Sequence, residues 1–157
     1  PSRWNQVANM LYIESPAGVG FSWVEDKADL TVGDERTSHD LFEFMQGWYT
    51  KFPEFKGRDF WISGESYGGH YVPNFAKYIV DHNSEASVSP VPLKGFLVGN
   101  AWTNAAIDNF GAAFDWWTHA VISDSTFASL QQACNFSNVG PLKESSAVLT
   151  ELPGDAC

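Results

Sequence analysis

In Gly64-Glu65-Ser66-Tyr67-Gly68-Gly69 a serine has glycine two positions before it and two positions after it. That is the spacing a nucleophile elbow requires. In such an elbow a strand ends, the chain reverses sharply and a helix begins at once, so the middle residue is held strained with its side chain presented outward. Gly64 and Gly68 carry no Cβ, which lets strand and helix come close enough to make the turn. The chemistry would be acyl transfer. The Ser66 hydroxyl would attack a carbonyl carbon, and the N–H of Tyr67 at the helix start would receive charge developing on the carbonyl oxygen. A Gly-rich turn around an ordinary serine would spell the same letters, so the flanking elements must decide.

Those elements read as a strand before and a helix after. An apolar run, Asp59-Phe60-Trp61-Ile62-Ser63, leads into the corner, and Val72, Phe75, Ala76 and Ile79 follow it at helical spacing. Pro73 is expected in the first turn of that helix, where its missing N–H costs little. The helix then frays into polar Asp81 to Ser89, and Pro90 and Pro92 bracket a link to a strand over Lys94 to Val98, closed by Gly99-Asn100. Upstream, Leu41, Phe44, Met45, Trp48 and Phe52 lie three and four apart, predicting an amphipathic helix from near Asp34 to the stop at Pro53. Gly57 then turns the chain toward the strand before the elbow. Asn9 to Glu14, a short apolar run ended by Pro16-Ala17-Gly18, reads as a buried strand, which makes Glu14 to Arg58 a crossover between parallel strands. The pattern β-α-β-α-β predicts an α/β fold of parallel strands and crossover helices. From Ala105 through Phe110, Phe114, Trp117, Phe127 and Leu130 to Cys134 the spacing is helical with no further strand, as in an insertion or lid. Residues 1–104 are therefore expected to form the core and 105–157 to begin a helical insertion.

A chain of 157 residues with 44% hydrophobic and 15% aromatic content can bury a core. Its formal charge of −10 argues against nucleic acid and anionic membranes as partners, because both present phosphates that attract basic surfaces. It suits an acidic compartment. No apolar run approaches the length of a spanning helix, and no charged-then-apolar leader is expected within these residues. Glu14 to Ser22 superficially suggests a dinucleotide loop, but the third glycine position is Trp23. No His, Cys, Asp or Glu cluster has metal-ligand spacing, so neither a metal nor a cofactor is expected. Cys134, Cys157 and the sequon Asn135-Phe136-Ser137 point to the secretory route. Cys134 could pair with Cys157, or either with a cysteine elsewhere.

Four phrases in order resemble the serine carboxypeptidases of the α/β-hydrolase superfamily. They are Glu14-Ser-Pro-Ala-Gly-Val-Gly-Phe-Ser22, Phe52-Pro-Glu-Phe55, Gly64-Glu-Ser-Tyr-Gly-Gly-His-Tyr-Val-Pro73 and Gly99-Asn-Ala-Trp-Thr-Asn104. The resemblance implies part of an α/β-hydrolase fold. It also implies that Ser66 is acylated by the carbonyl of a peptide's last bond, that the Tyr67 N–H is one oxyanion donor, and that Glu65 hydrogen-bonds the substrate's C-terminal carboxylate. Two carboxyl groups in contact cannot both be ionised cheaply, which favours acid pH and a vacuolar, lysosomal or secreted setting. The implied partners are peptide or protein C-termini and the rest of the same enzyme. Relatives carry a Gly-rich oxyanion loop before this stretch and place their Asp and His after it, so the sequence resembles an internal piece.

Within the chain, His70 is expected to pack beneath the site and His82 to fall in a linker. Asp108 or Asp115 with His119 has the order of an acid and base but falls in the insertion. Without a base the Ser66 hydroxyl is a poor nucleophile, so the isolated 157 residues are expected not to hydrolyse peptides. Two other readings stay open: an acyltransferase relative, which Glu65 disfavours because those often carry Asp there, and a truncated, non-catalytic interaction module.

Overall fold

The structure is a computed structural model and describes residues 2–136. The described residues sort into two compact units, one of 2–62 with 71–97, the other of 63–70 with 98–136. Its main elements are α1 (Asp34–Lys51), β1 (Phe60–Glu65), α2 (Gly68–His82), β2 (Leu93–Gly99), α3 (Ala105–Thr118) and α4 (Asp124–Ala133). β1 and β2 pair in one sheet. The Phe60 N–H bonds the Pro92 carbonyl at one end and the Ser66 N–H bonds the Gly99 carbonyl at the other, so both strands run the same way with α2 as their crossover. This is an α/β arrangement.

The expected strand over Asn9 to Glu14 does not form. Those residues are irregular, and Tyr12 is 79% exposed. An apolar run becomes a buried strand only when a neighbour completes its hydrogen bonds and its faces are covered, and neither holds here among the described residues. The crossover from Glu14 to Arg58 loses its first strand accordingly.

In the first unit, α1 begins at Asp34 as expected but buries a different stripe. Ser38, Phe42, Met45 and Tyr49 are buried, Leu41 and Trp48 are partly buried, and Phe44 is 40% exposed. The large apolar residues of α1, from Phe44 through Trp48, Leu41, Met45 and Tyr49 to Phe42, form an arc wider than one buried stripe, so periodicity found the helix without settling its rotation. α2 presents the expected face: Val72, Phe75, Ala76 and Ile79 are all buried. With Val91, the inward residues of both helices make the core, each large side chain contributing roughly 1.5–3 kcal/mol on burial. Pro73 lies in the second turn of α2 rather than the first; its missing N–H is the one a regular helix would donate to the Gly69 carbonyl.

The polar stretch after α2 is ordered by side-chain amides. Asn83 donates to the Val91 carbonyl at 2.7 Å and accepts the Val91 N–H at 2.8 Å. Gln46 accepts the Ser89 N–H at 2.7 Å and donates to the Ser89 carbonyl at 3.2 Å. Each amide substitutes for a strand partner and guides the chain into β2.

In the second unit, α3 and α4 form the expected helical region, with Phe127 buried and stacked on Trp117 at 4.7 Å. Ser123 caps α4 by accepting the Thr126 N–H. No helix among the described residues is long and apolar enough to cross a membrane. Cys134 closes α4; Cys157 and Ser137 of the sequon lie outside the described residues, whereas Asn135 lies just inside them.

Candidate active site

β1 delivers Glu65 as its last residue, and the chain turns at Ser66 with φ of +59° before α2 opens at Gly68. This left-handed region costs a non-glycine residue about 1 kcal/mol or more and persists only where neighbours over-determine it. Here they do. The Ser66 N–H donates to the Gly99 carbonyl at 3.1 Å, and the Ser66 carbonyl accepts the Trp102 N–H at 2.9 Å and the Gly69 N–H at 3.0 Å. Strand, corner and helix thus follow one another as the glycine spacing predicts.

Ser66 and Glu65 are both exposed, and Tyr67 is half-buried. Gly68 and Gly69 are buried in the first turn of α2. At Gly69 there is no room for a side chain: a Cβ would lie 2.8 Å from the carbonyl carbon of Trp102 and 3.0 Å from its nitrogen. Sequence reasoning singled out Gly64 and Gly68 and missed Gly69.

The loop after β2 is the other half of the corner. Asn100 also lies in the left-handed region, with φ of +41°, and Trp102 packs against the rings of Tyr67 at 5.7 Å and His70 at 5.4 Å. The Asp108 carboxylate accepts the N–H groups of Thr103 at 2.7 Å and Asn104 at 2.8 Å. Those bonds, from Asn104 first and then Thr103, hold its carboxyl below the usual carboxylate range, and nearby His70 adds to the effect. Asn104 in turn caps α3, its side chain accepting the Ile107 N–H at 3.1 Å. Asn100, Trp102 and Asp108 were not singled out as support for the corner. The available signal was an Asn just before an apolar helix with an acidic residue in its first turn.

Each histidine has a neighbouring group of its own. His70 lies against Tyr67, ring centres 5.0 Å apart. His39 pairs with Asp40 and His82 bonds the Tyr78 carbonyl. His119 pairs with Asp115 at 3.2 Å along the exposed surface of α3. Asp108 bonds the N–H groups of the loop, whereas Asp115 pairs with His119. Among the described residues no three His, Cys, Asp or Glu side chains are grouped to hold a metal ion.

The sequence profile of the serine carboxypeptidases matches residues 1–153. Serine carboxypeptidase 24 of Arabidopsis thaliana is 51% identical over 135 residues, covering 85% of this chain and 29% of its own length. Serine carboxypeptidase-like 26 of Oryza sativa subsp. japonica is 42% identical over 137 residues, covering 86% of this chain and 28% of its own. Among solved structures, a prohormone-processing carboxypeptidase from Saccharomyces cerevisiae superposes with a TM-score of 0.62 at 27% identity, over 78% of this chain and 28% of that one. The chain therefore spans under a third of the length of these relatives. With the profile matched almost end to end and a strained serine at the junction of β1 and α2, this chain belongs to the serine carboxypeptidase family.

Proposed function

We propose that the whole protein is a serine-type carboxypeptidase that releases C-terminal residues from peptides through an acyl-enzyme on Ser66. The observation that carries this reading is the exposed Ser66 at φ +59°, between a strand end and a helix start, in a chain of this family. Attack by Oγ on the scissile carbonyl expels the C-terminal amino acid and leaves the ester that water then cleaves. The N–H of Tyr67, first after the nucleophile, would donate to the oxyanion, with a second donor from a Gly-rich loop outside the described residues. Gly64 and Gly68 keep the corner tight. The base and its acid also lie outside residues 2–136 in this reading.

Glu65, exposed beside Ser66, would bind the substrate's C-terminal carboxylate. One proton shared between the two carboxyl groups makes acid pH favourable. That preference, the net charge of −10 and the sequon at Asn135 support a vacuolar, lysosomal or secreted setting. The residues to 104 would be part of an α/β-hydrolase core, and α3 with α4 the start of its helical insertion.

The test is hydrolysis of peptides with free and amidated C-termini by the whole protein. Ser66→Ala abolishes turnover but leaves peptide binding, and Glu65→Gln weakens the preference for free C-termini. An unchanged preference would remove Glu65 from recognition, and acyl transfer to an alcohol in place of hydrolysis would make the protein an acyltransferase.

A further inference from the structure

We propose that Asp108 is a positioning residue for the nucleophile, fixing the loop between β2 and α3 that holds Ser66 in its strained conformation. The inference rests on the reading of Ser66 as nucleophile. Ser66 is gripped at both of its backbone polar groups, by the Gly99 carbonyl at the end of β2 at 3.1 Å and by the Trp102 N–H of this loop at 2.9 Å. Between those two contacts stands Asn100 at φ +41°, so the gripping segment is itself strained and needs an anchor. The anchor follows directly. One oxygen of Asp108, Oδ2, accepts the N–H of Thr103 at 2.7 Å and that of Asn104 at 2.8 Å. The Asp108 N–H closes the ring on the Asn104 carbonyl at 2.9 Å.

A helix cap would explain less. α3 already has its cap in the Asn104 side chain, bonded to the Ile107 N–H at 3.1 Å. The Thr103 N–H lies before the helix, so the Asp108 carboxylate restrains the loop, one residue from the Trp102 N–H that holds Ser66. Gly69 transmits the restraint, because the Trp102 backbone packs on it with no space for a Cβ. Charge-assisted bonds from one carboxylate oxygen to two adjacent amides suit a rigid tether.

The test uses the whole protein, a peptide substrate with a free C-terminus, and hydrogen exchange of the Trp102 amide. Asp108→Ala lowers kcat between about tenfold and about a hundredfold, as a displaced nucleophile does, while KM stays within about twofold. Asp108→Asn, whose side-chain oxygen can accept the same two N–H groups, restores most of kcat. The Trp102 amide exchanges faster in Asp108→Ala than in wild type. Should Asp108→Ala not fold, Asp108→Glu, with the oxygen displaced by one methylene, lowers kcat on a native fold. Wild-type kcat in the variant that folds, a change confined to KM, or unaltered Trp102 exchange would overturn the proposal. If wild type shows no turnover that depends on Ser66, the functional reading fails, and amide exchange alone then decides whether Asp108 tethers the loop.

Discussion

Replacing Gly69 by alanine puts a methyl group where the backbone of Trp102 already stands. The added Cβ would lie 2.8 Å from the Trp102 carbonyl carbon and 3.0 Å from its nitrogen, with the carbonyl oxygen closer still. These are main-chain atoms, so no rotamer change relieves the overlap. Overpacking of this kind costs about 1–3 kcal/mol. If Trp102 retreats, its N–H bond to the Ser66 carbonyl is lost, which costs about 1 kcal/mol more. In the opposite direction, alanine regains up to about 1 kcal/mol over glycine in a helix. The balance is a destabilisation of about 1–3 kcal/mol, lowering the melting temperature by about 2–4 °C for each kcal/mol in a chain of this size. Gly47, inside α1, is the control: nothing stands within 4 Å of a Cβ built there. Gly47→Ala is accordingly neutral or stabilising by up to about 1 kcal/mol. Urea and thermal unfolding of both variants give the comparison. Equal effects from Gly69→Ala and Gly47→Ala would refute the close approach of corner and loop.

Further outcomes concern the core and pH. Ile79, fully buried on α2, loses about 2–5 kcal/mol of stability on replacement by alanine, measured by urea unfolding, whereas exposed Val80→Ala changes little. The Asp108 carboxyl is held below its ordinary range by the Asn104 and Thr103 N–H groups, with His70 nearby. The folded state therefore binds that proton less readily than the unfolded chain, so the stabilisation is present above the ordinary carboxylate range and is lost as pH falls through the folded-state value. Acid unfolding of wild type and Asp108→Asn, followed by circular dichroism, should differ in that window, and coincident curves would count against the Asp108 bonds.

The corner was legible in the sequence because it is local: two glycines, a strand-like run before and Val72, Phe75, Ala76 and Ile79 after are all within a few residues of Ser66. The extent of α1 and the buried face of α2 were legible for the same reason, though Pro73 falls one turn later in α2 than expected. The stripe buried by α1 was not, since Phe42 and Phe44 are equally apolar and only packing against Phe75, Ile79 and Val91 selects Phe42. Asn9 to Glu14 has strand-like composition, but a strand exists only with its partner. The grips of Gln46 on Ser89 and of Trp102 on Ser66 join positions tens of residues apart, and no spacing rule announces them. Family resemblance supplied what periodicity lacked, in the ordered phrases from Glu14 to Asn104.

The most direct measurement is the reaction of the whole protein with a serine-directed fluorophosphonate, with the modified residue located by mass spectrometry. If Ser66 is the activated nucleophile, the adduct forms on the peptide carrying Ser66, is absent in Ser66→Ala, and parallels the loss of carboxypeptidase turnover. An adduct on a different serine, or full turnover by Ser66→Ala, would contradict it.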